Sequence, residues 1–182
     1  LTTACKPTNP EYQQYILGEY ATYRMYQALS PLHFRTRLAK VTYKDSAGTK
    51  SSPDVTTWAF FIEDDAEMAR QNKLKVLTQE GALFEDLDQK QLMTSMLFEY
   101  MIGNTDASIA KLHNVVILRD TTSQALYPIM YDFDWGGLVN ELNALAPQAI
   151  QVAPAISCGN LSKIFQAIDG GTYWRVAFGL AT

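Results

Sequence analysis

Between Tyr100 and Leu138 the chain gathers residue types that bind cations and move protons. Gly103-Asn104-Thr105-Asp106 comes first, Leu112-His113-Asn114 follows, and Tyr131-Asp132-Phe133-Asp134-Trp135 closes the stretch. The carboxylates Asp106, Asp132 and Asp134 and the amides Asn104 and Asn114 are hard oxygen donors, and His113 is the histidine of the group. An acid before one strand, an amide entering it and an acid leaving the next make a divalent-cation site of the oxygen-ligand kind. Mg²⁺ held by one or two carboxylates plus phosphate oxygens uses such a set. Each Asp or Asn beside a turn also has a purely local use, because its side chain bonds nearby backbone. A buried, hydrogen-bonded ring is the structural reading of His113.

The elements that must position these groups are legible around them. Val115 to Arg119 is an apolar run of strand type, Asp120 to Gln124 a polar turn, and Leu126 to Tyr131 a second β-type run. The expectation is a hairpin with acids and amides at its open end. Asp86 or Asp88 caps a helix whose stripes, Leu92, Met96, Tyr100 and Met93, Leu97, Met101, run to Gly103, a C-terminal stop. That helix makes 104–114 a loop on a rigid support.

Upstream, Leu1 to Ala4 is β-prone. Asn9, Pro10 and Glu11 are the start signals of a long helix with tyrosines at helical spacing from Tyr12 to Tyr26, ending before Pro31. The tyrosine stripe predicts helix packing. Glu19 sits mid-helix among apolar neighbours. Phe34 to Tyr43 alternates as a half-buried strand, Lys44 to Gly48 is a turn, and Thr56 to Ile62 is an aromatic and β-branched partner strand. Glu63-Asp64-Asp65 suits a helix start, with Ala66 to Asn72 helical. Residues 73–84 give no clear pattern. After Gly137 the expectations are a short helix over Leu138 to Ala146, an irregular stretch from Gln148 to Ala155, a helix from Leu161 to Ile168 stopped at Gly170, and an apolar segment from Tyr173 to Leu180.

The 182 residues are 47% hydrophobic and carry a net charge of −4. That is ample for one domain, or for two lobes sharing a cleft, and offers no basic footprint for nucleic acid. No apolar run approaches bilayer length. Two cysteines, Cys5 and Cys158, make neither a disulfide scaffold nor a zinc site, and nothing in the sequence says whether they pair. Localisation is unknown. A chain that begins at Leu1 is compatible with export and removal of an upstream segment, and no signal peptide remains to be read.

The order Asn-x-Asp, His-Asn, Tyr-Asp-x-Asp resembles the catalytic half of the protein-kinase-like fold, in its atypical branch with the spore-coat CotH-type kinases and their bacterial relatives. It departs from ordinary protein kinases: His-Arg-Asp is absent, Asp-Phe-Asp replaces Asp-Phe-Gly, and the gap from Asp106 to Asn114 is longer than the usual catalytic loop. The resemblance implies an α+β fold: a mainly helical larger lobe (66–182) carrying the catalytic β-hairpin, and part of a smaller β-containing lobe with the hinge (1–65). It implies ATP and Mg²⁺ as cofactors and a hydroxyl acceptor, protein or small molecule. Asp106 would orient the acceptor, Asn114 and Asp132 would hold the metal, and Asp134 would be a second ligand or helper. Glu19 would match the helix Glu that pairs with a strand Lys, although Lys6 is the lone lysine before it and lies in a turn. Glu63 would mark the hinge that meets the nucleotide, with Asn104 and His113 shaping the loop around it. No glycine-rich phosphate loop is present. Two rival readings use the same acids: a non-catalytic binding or structural module retaining the fold, with the cluster capping loops or holding a stabilising metal, and a metal-dependent hydrolase. The hydrolase reading is weakened by a histidine supply of only His33 and His113.

Overall fold

A computed structural model describes residues 1–44 and 53–139 of the chain. Asn9 opens the first helix as its neighbours require. Its Oδ1 accepts the Glu11 N–H at 2.9 Å, and Pro10 brings the preset φ of a first helical position. Helix α1 (Pro10–Leu29) ends where Ser30 turns extended, one residue before Pro31. The strands β2 (Thr36–Tyr43) and β3 (Val55–Ile62) form the expected antiparallel hairpin, and β1 (Thr2–Thr3) lies on the other edge of β3. The acids that follow cap a helix: Asp64 accepts the Ala66 and Glu67 N–H groups at the start of α2 (Asp65–Gln71).

A second sheet contains β4 (Lys75–Leu77), β5 (Val115–Arg119) and β6 (Leu126–Met130), antiparallel and in that order. The fold of the described residues is therefore mixed α+β, with three helices and two small antiparallel sheets. Residues 73–84, which had no clear pattern, contain β4 and the start of a short 3-10 turn (Phe84–Asp86). Helix α3 (Gln89–Ile102) is capped by Asp88, whose carboxylate accepts the Gln91 N–H, and stopped by Gly103 at φ 67°. Most of the expected turn at Lys44 to Gly48 and everything expected beyond Val139, with Cys158, lie outside the described residues. Among the described residues no helix is long and apolar enough to cross a membrane.

The buried face of α3 differs from the stripes read in the sequence. Gln91, Leu92, Ser95, Phe98, Glu99 and Ile102 face inward, while Tyr100 and Met101 are exposed. Apolar and polar residues are spread almost evenly around this helix, so hydrophobicity does not choose its face. A polar network does. Gln91 Nε2 donates to Ser30 Oγ at 3.0 Å and to the Pro128 carbonyl at 3.2 Å, and Ser95 Oγ meets Tyr26 Oη at 2.8 Å. Ser95 also donates to the Pro128 carbonyl. Proline is tolerated here because β6 is an edge strand, and these bonds from α3 satisfy its outward carbonyl.

Aromatic rings join α1 to β3, to α3 and to the segment that follows β6. Phe133 is fully buried, with ring centroids 4.8 Å from Tyr23, 5.5 Å from Phe98 and 5.9 Å from Tyr26. Tyr23 also packs on Phe60 of β3 at 5.5 Å. Aromatic pairs at these separations contribute about 0.5–1.5 kcal/mol each beyond the area they bury.

Candidate functional site

The loop after α3 is built from its first residues upward. Gly103 in the left-handed region lets its own N–H and that of Asn104 return to α3 carbonyls, the latter reaching Glu99 O at 2.9 Å. Asn104 is buried, and its Oδ1 accepts the Asp106 N–H at 3.1 Å. This turn fixes where Asp106 stands. The chain then doubles back through a narrow pairing: Ser108 N–H donates to His113 O at 2.9 Å and His113 N–H to Ser108 O at 3.0 Å. Leu112 at φ 49° and Asn114 at φ 54° supply the tight reversal. The long gap between Asp106 and Asn114 is absorbed in this way, and the two side chains meet.

Asn114 Nδ2 donates to the Asp106 carbonyl at 2.6 Å and to its Oδ2 at 3.2 Å. His113 Nε2 lies 3.2 Å from Asp106 Oδ1. The three residues form one hydrogen-bonded unit, with Asn114 buried and the His113 ring exposed.

Across the mouth of the β5–β6 hairpin stands Asp132. Tyr131 N–H donates to Asn114 O at 3.1 Å, so the mouth is closed by backbone beside the two residues. Asp132, like Asn114, is left-handed, at φ 61°. A non-glycine residue held there marks a constrained position, and Asp and Asn bear it best. Its N–H donates to Tyr23 Oη at 2.8 Å. Buried Phe133 anchors the segment, so Asp132 and Asp134 flank a ring fixed in the aromatic core. Glu19 lies four residues before Tyr23 on α1, on the same face, and is only 4% exposed.

The electrostatics report one uncompensated acidic centre. Burial, with the charges of Asp132 and Asp134, pushes the Glu19 carboxyl up to about 8. Burial also raises Asp132, reinforced by Asp134 and Asp106 and opposed by His113. Asp134 is raised by burial and by Asp106. No Lys or Arg ion pair among the described residues involves Glu19, Asp106, Asp132 or Asp134. As placed, no three His, Cys, Asp or Glu side chains among the described residues converge on one ligation point. A metal here would draw on Asp132, Asp134 and the Asn114 amide, completed by oxygens of the bound ligand, as suits Mg²⁺.

Glu63 stands apart from this cluster. Its carboxylate is paired with Arg35, accepting from Nη2 at 2.6 Å and Nε at 3.0 Å, and with the Arg35 N–H, so it clamps β2 to β3. It lines a shallow surface depression with Arg37 and Phe61. The segment reaches the centre through Asp65, whose charge, with that of Asp132, raises the half-buried Tyr131 hydroxyl after burial has done so first.

The structure thus joins Asp106, His113 and Asn114 by hydrogen bonds. It couples Asp132, Asp134, Asp106 and Glu19 through their charges, buries Asn104 beneath the loop, and leaves Glu63 in a strand clamp. Sequence reasoning missed Tyr23 as the group that holds Asp132, and Glu99. The spacing of Glu19 and Tyr23 on one helix face was the available signal for the first. A lone acid inside an apolar helix was the signal for the second. Comparison of the sequence with protein-family models, with curated proteins and with solved structures finds no match in any of the three.

Proposed function

We propose that this chain is a kinase-like phosphotransferase of the atypical branch, taking ATP with Mg²⁺ and transferring phosphate to a hydroxyl acceptor. The observation that carries the reading is the bonded Asp106–His113–Asn114 unit standing beside Asp132 and Asp134, acids that join no Lys or Arg ion pair among the described residues. Asp132 and Asn114 would hold the metal, with Asp134 assisting. The metal would supply neutralisation of the phosphate charge. Asp106 orients the acceptor hydroxyl and is itself held by the Asn114 amide, the His113 ring and the Asn104 turn. Phosphoryl transfer asks little covalent work of a protein, and fixed positioning of this kind supplies much of what it needs.

One observation favours the second reading, a binding module that keeps the fold without catalysis. Glu19 has no lysine partner among the described residues, and Glu63 is already engaged with Arg35. Thermal unfolding with ATP and Mg²⁺ together, and with each alone, separates the readings. A ligand that binds only the folded state stabilises it by about 2.7 kcal/mol at one hundred times its Kd. Stabilisation that needs both components is expected, and Asp132→Asn should abolish it while melting normally, since Asn keeps the left-handed backbone. Stabilisation by metal alone would favour the binding module, and hydrolysis without nucleotide a metal-dependent hydrolase. Undiminished binding by Asp132→Asn would remove the ligand assignment.

A further inference from the structure

Three buried side-chain polar atoms among the described residues have no hydrogen-bond partner, and all belong to one pair: Glu99 Oε1, Glu99 Oε2 and Asn104 Nδ2. Glu99 is 5% exposed and Asn104 6%. They sit at the root of the loop, and the Asn104 N–H is clasped to the Glu99 carbonyl at 2.9 Å. The other end of the Asn104 amide holds the Asp106 N–H, which fixes its orientation and leaves Nδ2 on the far side. A carboxyl and an amide orphaned side by side, one of them gripping the functional loop, form a matched donor and acceptor.

We infer that Glu99 is a positioning residue, whose buried carboxyl acts through the Asn104 amide to set the place of Asp106. The carboxyl is the neighbour that can hold or release Nδ2, and any turn of that amide moves the oxygen on which the Asp106 backbone rests. Burial pushes Glu99 up to about 8, and the Asn104 amide draws it back toward the charged form. From α1 the ionisable group facing it is Tyr26, itself raised mainly by burial and also by the Glu99 charge. The geometry of the loop is therefore tied to whether Glu99 is neutral or ionised. The role in catalysis rests on the phosphotransferase reading of Asp106, whereas the coupling of Glu99 to Asp106 does not.

The test is nuclear magnetic resonance of the isotopically labelled chain, without nucleotide, following the Asp106 amide and the Glu99 side-chain carboxyl from pH 5 to 10. The Asp106 amide should move with a midpoint near 8, shared with the Glu99 carboxyl. Glu99→Gln should lose that midpoint, and Glu19→Gln should keep it, because Glu19 titrates in the same range. Asn104→Ala should move the Glu99 midpoint further up, since the amide no longer favours the charged form, and should uncouple Asp106 from it. An Asp106 amide whose midpoint persists in Glu99→Gln, or differs from that of the Glu99 carboxyl, would overturn the inference. If Glu99→Gln does not fold, the comparison of the two midpoints in Glu19→Gln decides alone. Failure of the ATP and Mg²⁺ stabilisation would remove the catalytic reading and leave this coupling standing.

Discussion

At the scale of the residue, the two glutamates inside helices carry the strongest pH consequence. Burial pushes both Glu19 and Glu99 up to about 8 from an ordinary 4.5, with the charges of Asp132 and Asp134 adding to the shift at Glu19. The neutral form is the one the fold prefers. The sign follows: below about 4.5 both states are protonated and nothing is lost. As the pH climbs toward 8 the unfolded chain ionises and the folded one does not, so stability falls across that window. We expect Glu99→Gln to gain on the wild type over it, by on the order of 2 kcal/mol at pH 8 relative to pH 4.5. Denaturant melts at the two pH values check this, and a difference that does not change with pH would refute it. Glu19 was legible as an anomaly among apolar neighbours, whereas Glu99 carried a similar signal and was missed. Their burial was not legible, because it depends on strands distant in sequence.

At the scale of the element, the segment carrying Asp132 and Asp134 is held by what lies between them. Phe133 contacts Tyr23, Tyr26 and Phe98, so the two carboxylates have a common anchor in the core. Phe133→Ala should cost about 3–5 kcal/mol, the usual loss for a buried ring, and should weaken cation or nucleotide binding. Phe133→Leu should recover most of the stability but not the edge-on ring contacts. Unfolding measurements on the pair check this, and a Phe133→Ala protein of wild-type stability would show that the ring anchors nothing. The same scale shows what sequence can reveal. The caps of α1 and α3 and the β5–β6 hairpin were readable because each rests on local chemistry: Asn9 with Pro10, Asp88, Gly103, and apolar runs around a polar turn. The inward face of α3 was not, because its choice depends on Ser30, Tyr26 and Pro128. Nor was β4, whose three residues are a strand only through pairing with β5. The fold-back at Ser108 to His113 was equally hidden, since it needs left-handed turns at Leu112 and Asn114, of which only the asparagine advertises itself.

At the scale of the whole molecule, α1 is the member common to the upstream sheet, the α3 network and the candidate site. Its Tyr23 packs on Phe60, meets Phe133 edge-on and accepts the Asp132 N–H. Tyr23→Phe keeps the ring and removes the acceptor, leaving that N–H without its partner. The expected loss is about 1–2 kcal/mol of stability, with a larger proportional loss of ligand-induced stabilisation than Phe61→Ser on the exposed face of β3 produces. Equal responses of the two variants would argue that α1 supports the fold without shaping the site.

The bond between Tyr23 and Asp132 joins residues 109 apart in the chain, and that between Tyr26 and Ser95 residues 69 apart. Contacts of such long range form only after much of the backbone has been ordered, because the entropy of closing large loops must be overcome first. During synthesis, α1 leaves the ribosome well before β6; its Tyr23 can meet Phe60 of β3 early, but Phe133 only after the second hairpin arrives. Binding at this mouth therefore waits for that long-range contact, and the appearance of stabilisation by ATP and Mg²⁺ after dilution from denaturant would time its formation.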